Sequence, residues 1–300
     1  MQQLVYDLKK DGFTVFNCDI NKKKLFEFRK STSDLLNLIG VKKHSGTRLP
    51  FAFKYCPESI KIFDIFRGLK ENISKTLECE NWVLTGHCDL HKNALSGWHR
   101  DDGTSYNDGG YFGDTKPDYT TPDMGVFKVA VYLQSHDKFE DGITVEPGSH
   151  IQKARDPLKA KYLNTSLGQV VIFDQRLWHT GQLQGIPNPL NTNSYKVLQK
   201  IKGIKFTDQS LVKSFDEQSI KEFEKIRGNR MSVFFTVRRK TTNESDSSVT
   251  FERNNMKRQV FEMAVSGRST FQSTSYLNAS MLTISNDLGV SFSKLCKIKV

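Results

Sequence analysis

The 300-residue chain is 37% hydrophobic and 11% aromatic, with 21 Phe, which predicts a folded protein and excludes a disordered one. Its formal net charge is +11, but residues 97–180 hold 12 acidic and 9 basic residues. The excess therefore lies in short basic runs in the flanks, and nucleic acid is not a favoured partner. No apolar stretch approaches the ~18 residues of a membrane-spanning helix, so no membrane partner is predicted.

The cysteine pattern and the N-terminal residues bear on the compartment. The five cysteines are scattered and form no C-x-x-C pair, which is typical of reduced thiols. Residues 1–7 contain no basic segment followed by an apolar run, so they predict no secretory signal. These features predict a cytoplasmic protein, and they carry no signal for its oligomeric state.

The first 80 residues predict two helices that pack on a sheet. A turn at Asp11-Gly12 leads into a strand at 13–16. Residues 22–40 predict an amphipathic helix that ends at Gly40, and residues 57–79 predict a second one. The buried stripe of the first helix is Leu25, Phe28, Leu35, Leu36 and Ile39, and that of the second is Ile60, Ile62, Phe63, Phe66, Leu69 and Ile73.

From residue 81 the pattern changes to strands, predicted at 82–91, 126–133, 143–145, 170–174 and 231–237. A long irregular loop is predicted at 102–125, and a polar Lys-rich segment with one helix near 216–226 occupies 182–228. Residues 241–250 are rich in Ser, Thr and Asn and predict a linker. Many strands preceded by helices predict a mainly β fold with flanking helices, an antiparallel double-sheet jelly roll.

His99, Asp101 and His179 are the candidate metal ligands. Residues i and i+2 of an extended strand point to the same side, so His99 and Asp101 face one point in space. His179 follows the strand at 170–174 and adds a second imidazole. Two histidines and one carboxylate form the facial triad that holds non-haem Fe(II) and leaves the opposite positions open. The alternative for His179 alone is a core or surface histidine beside Trp178.

The chain resembles the phytanoyl-CoA dioxygenase family of Fe(II)/2-oxoglutarate-dependent oxygenases. Five segments carry the resemblance, in order along residues 80–238, and the second is the most specific to the family. They are WHRD at 98–101, DGITVEPGSH at 141–150, LGQVVIF at 167–173, WHTG at 178–181 and NRMS at 229–232.

The resemblance implies a cupin-like double-stranded β-helix that uses Fe(II), 2-oxoglutarate and O2. Iron would be held by His99, Asp101 and His179. Arg230 would bind the far carboxylate of 2-oxoglutarate, with Ser232 on the same strand face, because a guanidinium grips a carboxylate through two hydrogen bonds. In the family the arginine usually follows the distal histidine by about a dozen residues. Here the gap is 51 residues, so 182–228 is interpreted as an insertion; the rival basic residues are Arg227, Arg238 and Arg239.

The reaction and substrate are predicted less sharply. The carboxylate of Asp101 indicates hydroxylation of a small molecule with release of succinate and CO2, because related halogenases have Gly or Ala at that position. No catalytic residue is predicted beyond the iron site. Lys128 and Tyr132 share a strand face and could contact 2-oxoglutarate or substrate. The loops 102–125 and 182–228 would shape the substrate pocket, and the basic insertion favours an anionic substrate.

The remaining aromatic and histidine residues have structural interpretations. His87, Asp89 and His91 form a second apparent metal cluster, for which a structural role is favoured. A structural hydrogen bond is expected for His150, and His44 and His136 are expected in loops. Trp98 and Trp178 are expected to pack around the metal.

Two functions are consistent with the sequence. The first is an Fe(II)/2-oxoglutarate-dependent dioxygenase whose domain spans 1–240, with a core at 80–238 and a C-terminal extension at 241–300. The second is a catalytically inactive jelly-roll protein that uses its basic flanks to bind an anionic polymer or partner.

Overall fold

A computed structural model gives the structure of the protein, and the fold within its described residues is mainly antiparallel β-sheet. The described residues are 6–17, 21–43, 46–50, 52, 69–93, 96, 98–104, 110–113, 117–134, 142–181, 230–243, 245–265 and 291. The helices predicted near 216–226 and over most of 57–68, and the loop residues His44 and His136, lie outside these ranges.

The larger sheet has seven strands in the order β1-β8-β5-β10-β4-β3-β2, and every described pairing is antiparallel. The strands predicted from sequence at 13–16, 82–91, 126–133, 170–174 and 231–237 are all confirmed within one or two residues at most of their ends. The bounds are β1 Phe13–Asn17, β2 Val41–Lys43, β3 Gly46–Leu49, β4 Trp82–Lys92, β5 Val126–Tyr132, β8 Gln169–Asp174 and β10 Met231–Arg239.

The smaller sheet has three strands in the order β7-β6-β9, with bounds β6 Ile143–Val145, β7 Lys161–Leu163 and β9 His179–Gly181. Ile143 and Val145 of this sheet belong to one apolar cluster with Ala130, Val171 and Phe173 of the larger sheet. The two sheets therefore pack together through one face of each. The mainly β class with flanking helices is confirmed, while the double-stranded β-helix stays a prediction.

The other face of the large sheet is covered by helices. Helix α1 is Leu8–Asp11, α2 is Lys22–Ile39, and residues 69–77 form α3. The predicted stripe of α2 packs into the main core, with Leu25, Phe28 and Leu36 buried. α3 adds Leu69, Ile73 and Leu77 to the same core, so the second predicted helix is present over the part of 57–79 that is described.

Gly40 ends α2 as predicted, but in an extended conformation with φ −65° and not in the left-handed one. Its N–H donates to the carbonyl of Leu36 at 2.9 Å. A Cβ on Gly40 would lie 2.2 Å from both that carbonyl oxygen and Cγ2 of Thr47. Glycine is therefore needed here because the chain passes too close to α2 and β3 for any side chain.

The linker predicted at 241–250 is wrong in its second half, because helix α4, Ser247–Val265, begins inside it. Asp246 precedes the helix, and its carboxylate accepts from the N–H of Ser248 at 2.8 Å. Phe251 of α4 packs on Tyr111 and Phe112 of the predicted loop 102–125. α4 thus packs against the segment that contains Tyr111 and Phe112, whereas the division into domains at residue 240 stays a prediction.

Two further sequence-based predictions can be compared with the described part of the chain. None of its helices has the length and apolar character of a membrane span. The described cysteines, Cys79 and Cys88, are free thiols.

Candidate metal centre

His99 and His179 are joined by their backbones. Each donates its N–H to the carbonyl of the other, at 2.9 and 3.0 Å, in an isolated antiparallel bridge. Their ring centroids lie 4.2 Å apart. His99 thus pairs with the first residue of β9. This pairing places the imidazoles of two residues 80 positions apart in the chain side by side.

Asp101 completes the group of three. Its backbone N–H donates to the carbonyl of Gln175 at 2.9 Å, which fixes the residue beside the segment that leads into β9. Its carboxylate lies 3.7 Å from Nε2 of His99 and 3.3 Å from Nε2 of His179. One ligand atom from each residue lies within 4.8 Å of the others, and among the described residues this is the group whose donors suit a metal ion. Ligands on one face of a metal with bonds of ~2.1 Å lie ~3 Å apart, so small rotations would close the site.

His179 is held in an orientation that suits ligation. Its Nδ1 lies 3.0 Å from the carbonyl of Leu177, and Phe173 packs against its ring at 4.8 Å. An Nδ1–H that donates to this carbonyl leaves the lone pair on Nε2, which faces Asp101. Backbone carbonyls fix metal-binding histidines in this way in many sites.

Lys128, on β5, forms an ion pair with Asp101. Its Nζ lies 2.6 Å from Oδ2 of the carboxylate, and both side chains are largely buried. Burial on its own would raise the pKa of Asp101, but the Lys128 ammonium and then His179 hold it well below the usual value. The sequence offered no sign of this contact, and the predicted contact of Lys128 with 2-oxoglutarate or substrate stays a prediction.

Arg230 directly precedes β10 and is buried. One guanidinium nitrogen donates to the carbonyl of Gly142 at 3.2 Å, and the group lies over the ring of Tyr132 at 5.7 Å. A Cβ added to Gly181 would lie 3.5 Å from the other terminal nitrogen. Gly181 is two residues beyond His179 on β9, a separation of ~6.7 Å along a strand. The Arg230 guanidinium therefore lies on the same side of β9 as the candidate ligands, about two residues further along the strand.

The described rivals of Arg230 have other roles. Nε of Arg238 donates to the buried carboxylate of Glu252 on α4 at 2.6 Å. Arg239 pairs with Asp123 and donates to the carbonyl of Leu77. Arg227 lies outside the described residues. Ser232 is buried and lies opposite Tyr132 and His91 in the sheet register, and its contact with 2-oxoglutarate stays a prediction.

Asp89 is the centre of a second polar cluster on the large sheet. The sequence analysis favoured a structural role for this cluster. Arg48 on β3 donates to Oδ2 of Asp89, with Nε at 2.9 Å. Nε2 of His87 lies 3.3 Å from the same oxygen, and Nδ1 of His87 lies 3.0 Å from the hydroxyl of Thr236. Asp89 is thus paired with Arg48, and the group suited to a metal among the described residues does not include Asp89.

The other residues singled out from the sequence have the contacts given below, and the packing of Trp98 and Trp178 around a metal stays a prediction. Trp98 is buried under the guanidinium of Arg155, whose Cζ lies 4.1 Å from the centroid, and Arg100 lies over Trp178 at 4.8 Å. Nε2 of His150 lies 3.1 Å from the carbonyl of Lys9, the structural hydrogen bond expected for it.

Hydrogen bonds to Asp102 hold part of the loop that follows Asp101. This buried carboxylate accepts from Thr104 and from the hydroxyl of Tyr119 at 2.9 Å. Burial and the Asp102 charge raise the pKa of Tyr119 to about 12, which keeps it a donor. Part of the predicted pocket loop 102–125 is thus anchored at the candidate site, and 182–228 lies outside the described residues.

No protein-family model and no curated protein matches the sequence. Solved structures with a similar backbone include the epimerase SnoN in complex with Fe3+, alpha ketoglutarate and nogalamycin RO, at 11% identity and TM-score 0.49, covering 78% of this chain and 81% of SnoN. EvdO2 from Micromonospora carbonacea var. aurantiaca complexed with 2-oxoglutarate is 12% identical, with TM-score 0.46 and coverages of 79% and 91%. EctD from S. alaskensis with bound Fe is 13% identical, with TM-score 0.44 and coverages of 78% and 74%. Likeness at this level does not decide what the chain does, so its function has to be inferred from the residues of the site.

Proposed function

We propose that the protein is a non-haem Fe(II)- and 2-oxoglutarate-dependent oxygenase with a double-stranded β-helix core, of the kind found in the phytanoyl-CoA dioxygenase family. The observation that carries the proposal is the convergence of His99, Asp101 and His179, with donor atoms within 4.8 Å of one another. Two imidazoles and one carboxylate are the donor set of a facial-triad Fe(II) site. The bound iron would supply the oxidative chemistry with O2 and 2-oxoglutarate.

Arg230 and Ser232 are proposed to hold the far carboxylate of 2-oxoglutarate. A guanidinium binds a carboxylate through two parallel hydrogen bonds, and a dicarboxylate bound at the triad would place its far carboxylate at the buried Arg230. The hydroxyl of Ser232 lies on the same strand face and can donate to the same carboxylate. Tyr132, under the guanidinium, limits where Arg230 can turn.

The protein's own residues would orient the reactants and exclude water. His179 is oriented by the Leu177 carbonyl, and Asp101 by Lys128 and the Gln175 carbonyl. The partly exposed His99 marks the side of the site from which a small-molecule substrate would enter. Asp101 would be a third protein ligand to the iron, where related halogenases have Gly or Ala, and this carboxylate supports hydroxylation over halogenation.

The test is an anaerobic titration of the Fe(II)-loaded protein with 2-oxoglutarate, followed by the weak visible absorption band of an iron-bound 2-oxo acid. We expect the band in the native protein and its loss in Asp101→Asn. Asp102→Asn is the matched control, because it changes the neighbouring buried carboxylate, and it should keep the band. Absence of the band in folded native protein would refute the proposal and favour the inactive binding protein.

A further inference from the structure

The face of the large sheet that carries Lys128 is partly open around Phe234. Phe234 lies in the middle of β10, between β4 and β5, yet it is partly exposed, whereas its neighbours Val233 and Phe235 on the opposite face are buried. The Phe234 ring lies 5.0 Å from that of His91 and 5.6 Å from the Lys128 ammonium. A partly exposed aromatic ring therefore lies beside the metal centre.

Asp89 borders this ring with one carboxylate oxygen that has no partner among the described residues. The side chain is 3% exposed, and Asp89 pairs with Phe234 in the sheet register. Both Arg48 contacts and both histidine contacts go to Oδ2, while Oδ1 has no hydrogen bond. Burial would raise the pKa of Asp89, but Arg48 and then His87 hold it well below the usual value. A buried, ionised carboxylate with one free oxygen is unusual, since buried polar atoms are normally satisfied.

His91 contributes a second free atom on the same side of the ring. Its Nε2 is buried without a hydrogen bond in the described structure, 3.8 Å from Oδ2 of Asp89. Burial lowers the pKa of His91 to about 4, against the opposing effect of Asp89. The ring is therefore neutral at pH 7 and can accept or donate one hydrogen bond. A carboxylate oxygen and a neutral imidazole nitrogen beside one aromatic face form a site for adjacent hydroxyl groups on an apolar frame.

Charge decides between a hydroxyl and an amine. The charged side chains around the metal centre and Phe234 are here called the inner wall. Its cations are Arg230, Lys128 and Arg48, and its anions are Asp101 and Asp89. Fe(II) and doubly charged 2-oxoglutarate add no net charge, so the loaded wall keeps one excess positive charge. This excess positive charge would repel an ammonium group, whereas it would not repel a neutral hydroxyl.

We propose that Asp89 and His91 bind hydroxyl groups of the substrate above Phe234, and hence that the substrate is a hydroxylated ring or polyol. This inference rests on the proposed function, because it takes the metal centre as the place where the substrate reacts.

The experiment uses the full chain loaded with Mn(II) and 2-oxoglutarate, and three ring probes followed by ¹H NMR. The probes are cis-1,2-cyclohexanediol, its dimethyl ether, which accepts but cannot donate, and trans-1,4-diaminocyclohexane, a cationic diamine whose two amines are too far apart to chelate Mn(II). Mn(II) broadens the signals of any probe held near the triad. We expect broadening of the diol at concentrations at least tenfold lower than those needed for the ether or the diamine.

Three variants make the assignment specific. His91→Phe keeps the ring that packs on Phe234 and removes Nε2, and Asp89→Asn keeps the shape and removes the charge. Each should weaken the diol at least fivefold. Glu252→Gln is the matched control, since it alters another buried carboxylate–arginine pair, with Arg238 at the far end of β10, and it should leave diol binding unchanged.

Equal binding of diol and ether, tighter binding of the diamine, or diol binding that survives both substitutions would each overturn the inference. Failure of the proposed function gives a different result. In that case the native protein and a His99→Ala variant would bind Mn(II) equally poorly. Diol binding would then be measured in metal-free protein by saturation-transfer NMR, and it should still depend on Asp89 and His91.

Discussion

Replacing Lys128 by Met should make the metal centre bind divalent cations more tightly. The ammonium lies 2.6 Å from Oδ2 of Asp101, where an effective dielectric constant near 20 gives an attraction of about 6 kcal/mol before desolvation is counted. Breaking a buried pair by removing one partner costs about 3–5 kcal/mol. Because the two side chains are 13% and 18% exposed, we expect about 2–3 kcal/mol for this pair.

That cost applies mainly to the metal-free protein. In the loaded protein the metal itself compensates Asp101, and loss of the ammonium also relieves repulsion between two cations. The difference should therefore appear as tighter metal binding, by roughly 30- to 150-fold at about 1.4 kcal/mol per factor of ten. The metal-free variant should also unfold at lower temperature than the native protein.

The assay is Mn(II) binding followed by the electron paramagnetic resonance signal of free Mn(II), with thermal unfolding in parallel. Lys92→Met is the matched control, because Lys92 on β4 donates to Ser33 and Asn37 and touches no candidate ligand. Unchanged or weaker Mn(II) binding in Lys128→Met would mean that the ammonium does not compete with the metal, and would refute the reasoning.

Three other substitutions have defined outcomes. Arg230→Met should raise the 2-oxoglutarate concentration for half-maximal succinate release at least tenfold with little effect on Mn(II) affinity; an unchanged requirement would move the carboxylate site to another basic residue. Gly40→Ala should lower the melting temperature, since its Cβ would lie 2.2 Å from two atoms, and an unchanged melting curve would show that α2 can shift freely. Because the pKa of Asp89 is lowered in the folded protein, ionised Asp89 stabilises the fold above the unfolded-state pKa of ~3.9. This stabilisation is lost as the pH falls through the lower folded-state pKa. Urea unfolding from pH 6 to 2 should therefore show a smaller acid loss of stability in Asp89→Asn, and parallel curves would contradict this.

The candidate ligands were predictable because their signal is local. His99 and Asp101 are two residues apart, and His179 follows an apolar strand directly, so strand geometry alone predicts where each side chain lies. Arg230 was chosen for a similar reason, because it stands at the head of the apolar run 231–237, and its role stays a prediction. Two of its rivals, Arg238 and Arg239, pair with Glu252 and Asp123, and Arg227 lies outside the described residues.

The pairings of Lys128 with Asp101 and Arg48 with Asp89 could not be predicted, because each depends on sheet order and register. β5 and β3 flank the central strands only through pairings between segments far apart in the chain. The helix α4 is a different case. Its start had a signal, the capping carboxylate of Asp246, but the Ser-, Thr- and Asn-rich composition before the helix favoured a linker.

The charge balance of the inner wall also links the two ligands of the proposed enzyme. With three cations, Arg230, Lys128 and Arg48, against the carboxylates of Asp101 and Asp89, the wall repels a divalent metal that arrives alone and attracts a dianion. Once 2-oxoglutarate is bound, the same wall carries one net negative charge, so each ligand favours the other and their affinities must rise by the same factor. Mn(II) should therefore bind several-fold more tightly when 2-oxoglutarate is present, and this enhancement should shrink in Arg230→Met. Equal Mn(II) affinity with and without 2-oxoglutarate would show that the two charges do not sense each other across this wall.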